Sequence, residues 1–337
     1  MRLATWNVAW FDRLFDDAGQ PQHDMGDSAR YGITRAQQLD GIAHVMHALD
    51  ADGIVVVEAP DTGGKRDGVR ALETFAAQAG LRTREALIGF RSHTQQEIAF
   101  LYDPDRLRAR HDPRASASAP RFDLHAGKGD SRIAWSKPPL ELVVEAEGAV
   151  LRLIGVHAKS KAPHGADDAR DLQRIAVENR RKQLAQCGWL RARIEDHLDA
   201  GDSLVVMGDF NDGPGLDAQE RLFGRSGIEI VLGEEAPPER RLHDPHARLA
   251  LAHPMAAQPA TARFAVPPDW RILSALLDYA MISPDLCACG PRWRIWHPFD
   301  DPEIYADAKL SAALLAASDH FPVTLDLDLS GKPVPAA

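Results

Sequence analysis

Six apolar runs in this chain end or begin on a carboxylate, an amide or a histidine. Leu3-Ala4-Thr5-Trp6 runs into Asn7, Ile54-Val55-Val56-Val57 into Glu58, and Leu153-Ile154-Gly155-Val156 into His157. Leu204-Val205-Val206-Met207-Gly208 runs into Asp209, with Asn211 two residues on. Asp278 opens Tyr279-Ala280-Met281-Ile282, and Asp319-His320 precedes a last run from Pro322. One polar residue at such a place is ordinarily a cap or a turn residue. Six on one chain point to a cluster, because strand ends at one edge of a sheet converge in space. The donors are mostly hard oxygens, with two histidines and no thiolate. That set suits Mg²⁺ or Mn²⁺ better than zinc. Mg²⁺ takes one or two carboxylates and leaves positions for water and a substrate phosphate. The chemistry expected is metal-assisted hydrolysis of a phosphate ester.

The elements that must carry these groups alternate between short β-like runs and helical stretches. Strands are expected at Leu3–Val8, Gly53–Val57, Glu97–Tyr102, Leu140–Ala146, Leu151–His157, Ser203–Met207, Asp278–Ile282 and Pro322–Leu327. Helical spacing marks Arg35–Leu49, with Leu39, Ile42, Val45, Met46 and Leu49 on one face. Val69–Ala79 reads as helical, and so does Leu172–Leu198, where Leu184, Cys187, Leu190, Ile194 and Leu198 form the apolar stripe. Such alternation indicates an α/β or α+β chain. Nothing marks a boundary, so one domain over residues 1–330 with a short tail at 331–337 is expected. Asp12–Thr34, Pro104–Ser136, Pro214–Arg271 and Trp293–Ala317 read as loops and short helices around one end of the core, where substrate selection usually resides.

Composition narrows the function further. With 337 residues, 45% hydrophobic and 26% charged, the chain is neither disordered nor a disulfide scaffold. A net charge of −10 argues against coating nucleic acid or anionic membranes by bulk charge. It leaves open a grip on one phosphate through a metal. No run of 18 apolar residues occurs, so membrane insertion is not expected. The start runs straight into a strand, and the reading is cytoplasmic. Cys187, Cys287 and Cys289, an odd number, read as reduced thiols. Oligomeric state leaves no trace.

In order along the chain stand Thr5-Trp6-Asn7-Val8, Ile54–Glu58, Val156-His157-Ala158-Lys159-Ser160, Gly208-Asp209-Phe210-Asn211, Leu277-Asp278-Tyr279 and Ser318-Asp319-His320-Phe321-Pro322-Val323. These segments resemble the endonuclease/exonuclease/phosphatase superfamily, the group of deoxyribonuclease I, abasic-site endonucleases, sphingomyelinases and inositol polyphosphate 5-phosphatases. The resemblance runs from residue 3 to about 327. It implies a four-layer α/β sandwich, two packed mixed β-sheets flanked by helices. It also implies a metal held by Glu58 with Asn7 and Asp319 nearby. Asp209 and Asn211 would position the attacking water and a phosphate oxygen. Asp278 and His320 would form an aspartate–histidine pair, with His320 either a base or a stabiliser of the transition state. His157 paired with Glu97 would protonate the leaving oxygen. Lys159, and Lys137 or Arg132, would meet the phosphate. Relatives often place glutamine before the metal glutamate; here it is Val57.

Two features remain open between function and packing. Arg174, Arg180, Arg181, Lys182, Arg191 and Arg193 could wall a groove or simply face solvent. Trp293, Trp296, Phe299 and Tyr305 could stack on a base or pack their loop onto the core. The expected substrate is a phosphodiester, with DNA or RNA the first choice. A small-molecule or lipid phosphate ester is the alternative, and a non-catalytic interaction module a lesser one.

Overall fold

Two β–α–β units frame the molecule, each with its strands parallel and its helix on the outside. In the computed structural model, residues 1–114, 118–124, 132–162, 168–214, 218–253, 256–266 and 270–332 are described. The first unit is β1 (Arg2–Asn7), α1 (Arg35–Leu49) and β2 (Gly53–Pro60). It is followed by α2 (Gly68–Ala79), β3 (Glu85–Ile88), β4 (Gln96–Tyr102), β5 (Leu107–His111), β6 (Arg121–Asp123), β7 (Arg132–Ala134) and β8 (Leu140–Ala146). The second unit is β9 (Ala149–His157), α3 (Ala169–Asp199) and β10 (Leu204–Asp209). Then come α4 (Ala218–Phe223), α5 (Gly227–Leu232), α6 (Pro245–Ala252), β11 (Ala262–Val266), β12 (Arg271–Ala275) and β13 (Asp278–Ile282). β14 (Arg292–Ile295), α7 (Pro302–Ala306), α8 (Ala308–Ala317) and β15 (Val323–Asp326) close the described chain.

A six-stranded sheet has the order β14-β15-β1-β2-β4-β3, and a five-stranded sheet the order β13-β10-β9-β8-β5. Only β1–β2 and β9–β10 are parallel within them; the other pairs are antiparallel. The sheets pack face to face through Leu3, Val55, Val57, Phe100, Leu153, Val205 and Met207, all buried. Alternate residues of the same strands face the outer helices: Ala4, Trp6, Ile54 and Val56 on one side, Ile154, Val156 and Val206 on the other. This is the expected α/β sandwich.

Helix α1 keeps its predicted ends because Thr34 and Gln37 form a capping box. Helix α3 departs from the predicted stripe. Its buried face carries Arg180, Gln183, Cys187, Leu190 and Ile194, whereas Leu184 is only partly buried. The sequence reading has no counterpart for β3, β5 or β14, three strands at sheet edges. β5 and β14 carry arginines, since one flank needs no cover, and β3 is only four residues long. Within the 293–317 stretch, read as loops and short helices, residues 308–317 form a ten-residue helix lying on α1. Of the expected tail, residues 333–337 lie outside the described residues.

Candidate active site

The polar strand ends meet at one end of the space between the two sheets. Parity decides which side chains point there. Asn7 follows Leu3 and Thr5, and Asp209 follows Val205 and Met207, so both continue the faces that look across to the opposite sheet. In the five-stranded sheet Asp209 stands in register with His157 on one side and Asp278 on the other. From the opposite sheet Asn7 reaches over, its Nδ2 donating to Asp209 Oδ2 at 2.9 Å. His320 then closes the row, its Nδ1 2.8 Å from Asp278 Oδ2. One ligand atom from each of Asp209, Asp278 and His320 lies within 4.8 Å of the others.

Two backbone features make the cluster. Gly208 has φ +143°, and a Cβ there would lie 2.0 Å from the Val156 carbonyl oxygen. Only glycine lets β10 come that close to β9 beside the site. Glu58 adopts φ +64° at a bulge where β2 slips against β4. Without the bulge its side chain would point to the outer helices with Ile54 and Val56. Its Oε2 instead accepts from Trp10 N at 2.8 Å and Gln96 Nε2 at 2.7 Å. Val57 is in the inter-sheet core. Gln96 supplies the amide contact to Glu58.

The same parity removes Glu97 from the row. Gln96, Ile98 and Phe100 face the opposite sheet, so Glu97 faces outward with Ala99 and Leu101. Both its carboxylate oxygens accept from Ser92 N, at 3.0 and 2.9 Å. The expected Glu97–His157 pair is therefore not formed. His157 Nδ1 has no hydrogen-bond partner, and His157 Nε2 lies 3.7 Å from Asp209 Oδ2.

Several other expectations need adjustment. Asn211 is not on an extended segment; its φ is +50°, and its N–H turns back to Asp209 Oδ1 at 2.7 Å. The side chains still converge, Asn211 Nδ2 donating to Asp209 Oδ2 at 3.1 Å. Lys159 lies beyond the end of β9, anchored by its N–H on Gln186 Oε1. Asp319 turns to the rim, its Oδ1 3.4 Å from Arg30 Nη1. Of the two alternatives for the phosphate cation, Lys137 is half-buried and feels Glu58, Asp209 and Asp12. Arg132 is exposed on the small β6–β7 ribbon.

Electrostatics separates the two histidines. Burial drives His157 well below the usual histidine value, helped by Lys137, His320 and Lys159, so it is neutral. Burial also works against the His320 cation, but Asp278 and Asp209 outweigh it and raise the ring to about 10. The imidazolium form is favoured, which fits a hydrogen-bond donor to phosphate better than a base. Burial pushes Asp209 up to about 7, against the pull of His320.

Supporting residues were not legible in advance. Ser318 Oγ donates to Asn7 O at 2.7 Å and accepts from Ala9 N and His320 N, tying β1 to the histidine loop. Gln183 Nε2 donates to the carbonyls of Lys159, Phe210 and Asn211. Buried Asp212 meets Arg180 Nη1 at 2.6 Å and Lys161 Nζ at 2.7 Å. Only the adjacency of Ser318 and Asp212 to the motifs could have flagged them. Most of the basic residues singled out on α3 are paired among the described residues, Arg181 and Lys182 excepted. Arg180 pairs with Asp212, Arg191 with Glu195, and Arg193 with Glu141.

Of the four loop aromatics, Trp296 is buried and Trp293 donates its indole N–H to Ala280 O. Both pack. Phe299 and Tyr305 are exposed, and the Arg263 guanidinium lies 4.8 Å from the Phe299 ring. Arg263 N donates to Asp319 O, which puts this pair at the site's rim. On the Glu58 side, exposed Trp10 carries the Arg13 guanidinium 4.5 Å from its ring.

The buried acceptors Asn7 Oδ1, Asp278 Oδ1 and Asp12 Oδ1 have no hydrogen-bond partner. Unmatched hard oxygens such as these fit a divalent cation. No helix among the described residues is long and apolar enough to cross a membrane.

A model of the Endonuclease/Exonuclease/phosphatase family matches residues 4–320. No curated protein matches the chain. Among solved structures, a 3'-5' exonuclease (NExo) from Neisseria meningitidis superposes with TM-score 0.50 at 15% identity, covering 97% of this chain and 100% of that one. D. rerio TDP2 with a single-strand DNA product gives 0.51 at 12% identity, covering 96% and 97%. The human Nocturnin catalytic domain with bound sulfate gives 0.51 at 14%, covering 97% and 93%. At these identities the likeness establishes a shared fold.

Proposed function

Since this chain belongs to the endonuclease/exonuclease/phosphatase family and is a hydrolase of phosphate ester bonds, we propose that it is a Mg²⁺- or Mn²⁺-dependent phosphodiesterase acting on nucleic acid. The observation that carries the chemistry is the buried row His157–Asp209–Asp278 with His320 closing it and Asn7 reaching across. A bound divalent ion would supply Lewis-acid stabilisation of the phosphate and its leaving oxygen. Glu58 and Asn7 would hold it, with Asn7 Oδ1 unengaged and Glu58 fixed by Gln96 and Trp10. Asp319, paired with Arg30, keeps that arginine at the rim.

Asp209, held by Asn7 and Asn211, takes the proton of the attacking water. Asn211 orients the same carboxylate through both its N–H and its amide. His320, held by Asp278, donates to a non-bridging oxygen as negative charge grows there. Lys137 and Lys159 add positive charge to the phosphate site. The leaving oxygen takes its proton from solvent water; neutral His157 lies 3.7 Å from Asp209, and Glu97 has no part in the step.

Nucleic acid is favoured by two exposed aromatic rings with stacked arginines, Trp10–Arg13 and Phe299–Arg263, on opposite flanks of the row. Bases stack on such platforms. A related Neisseria structure holds a product DNA hairpin, and D. rerio TDP2 a DNA product, which supports the same reading. The internally paired arginines of α3 and the charge of −10 favour the second reading, a small phosphodiester. The three cysteines are unpaired, which fits a reducing compartment such as the cytoplasm.

Labelled oligonucleotides, supercoiled plasmid and small phosphate mono- and diesters, each with Mg²⁺ and Mn²⁺, test the proposal. The expected result is oligonucleotide or plasmid cleavage well above an Asp209→Ala control. Nicking no higher than that control, with rapid turnover of small diesters, transfers the assignment to the second reading.

A further inference from the structure

Asp12 stands outside the row, yet its carboxylate is as buried as those within it. The short turn Phe11–Leu14 after β1 is pinned by Phe11, whose ring meets Phe15 at 5.1 Å and Phe75 at 5.2 Å. That anchoring presses Asp12 inward until only 3% of it is exposed. Its Oδ1 has no hydrogen-bond partner. The nearest arginine does not answer it directly: Arg66 donates to the Asp12 backbone oxygen at 2.8 Å and gives its guanidinium to Asp61. A buried carboxylate oxygen without a protein partner is costly unless a bound cation or water completes it.

The surroundings indicate what completes it. The turn that carries Asp12 packs against β2, and Trp10, two residues before Asp12, donates its N–H to Glu58 Oε2. Gln96 donates to the same Glu58 oxygen and also hydrogen-bonds the Asp12 carboxylate, whose charge Glu58 opposes. Lys137 feels both carboxylates, but it is shared with Asp209. A polar cavity of about 560 Å³, lined by Asp12, Asp61, Arg66 and Gln95 among others, opens onto the Asp12 side and offers a path from solvent. Two neighbouring carboxylates, of which Asp12 has an orphaned hard oxygen and lines a polar cavity, match a small hard cation.

We propose that Asp12 is a second carboxylate of the divalent-cation seat, acting with Glu58 to bind Mg²⁺ or Mn²⁺. The inference rests on the reading of Glu58 as a metal-holding residue. It adds a ligand that the motif pattern does not contain, from a turn and not from a strand end. One more negative charge should strengthen cation binding before any substrate arrives.

Calorimetric titration of the full chain with Mn²⁺, without substrate, tests it alongside the Mn²⁺-induced rise in melting temperature. Asp12→Asn is expected to weaken Mn²⁺ binding by about tenfold or more. The melting rise should shrink in step. Without metal, Asp12→Asn should melt no lower than the wild type, because a buried charge has gone; Asp12→Ser serves if the amide variant does not fold. Glu58→Gln separates the two layers. Weakened binding in Glu58→Gln with Asp12→Asn and Asp12→Ser within twofold of wild type overturns the role of Asp12 alone. Unchanged binding in all three overturns the Glu58 seat as well.

Discussion

The two ends of the inter-sheet layer use similar residue types to opposite purposes. At the end opposite the site, carboxylates are matched by arginines. Arg82 meets Asp50 at 2.6 Å, Asp103 at 2.8 Å and Asp52 at 3.0 Å. Arg2 pairs with Asp326, and Arg152 with Asp112. At the site end, Asn7, Asp12, His157 and Asp278 each keep a buried polar atom without a partner. Compensated charge holds strand ends in place; uncompensated charge stores binding capacity for something that arrives later.

The contrast can be broken first at the site. Stripping divalent ions with a chelator should abolish hydrolysis, and Mg²⁺ or Mn²⁺ should restore it; full activity in chelator would remove the reason for the unmatched oxygens. Next, Asp209→Asn should lower kcat by about 10²–10⁴-fold while the melting temperature stays level or rises. A collapse of melting instead would make the site end structural and erase the distinction.

The opposite end should respond the other way. Arg82→Met should cost about 1–3 kcal/mol in urea unfolding, damped by the partial exposure of Arg82, and leave kcat unchanged. Burial works against the Asp52 charge, but Arg2 N–H and Arg82 more than offset it and hold this carboxyl below the usual range. A lowered native pKa contributes stability above the unfolded value of about 3.9 and loses it as pH falls through the native value. Asp52→Asn should therefore be less stable than the wild type at pH 7, with the gap closing below about pH 4 in melting curves. Smallest of all, Arg225→Ala, which removes an exposed pair with Glu235, should shift stability by no more than about 0.5 kcal/mol.

Much of the core was readable. Strand runs such as Leu140–Ala146 and Asp278–Ile282 and the helix Arg35–Leu49 have the observed ends, because apolar period and capping agree there. Edge strands were not readable, since β5 and β14 carry arginines where one flank is free. Among site residues, Asn7, Asp209, Asp278 and His320 come together as their strand-end positions imply. Glu97 does not, because its neighbour Gln96 holds the inward parity. Asp319 is drawn to Arg30, a partner 289 positions away whose approach leaves no local trace.

Residue type and strand-end placement were enough to name the chemistry, because hard oxygens and imidazoles recurring after apolar runs have few other uses together. Which of them face one another was settled only by packing. A one-residue change of parity turns a side chain to the other face of its sheet, and the bulge at Glu58 makes that change without any mark in the local pattern. The Phe11 anchor likewise buries Asp12 from a turn. Side-chain chemistry is local and can be read from the chain. Orientation and the lack of a partner depend on both sheets at once, and exist only when they are packed.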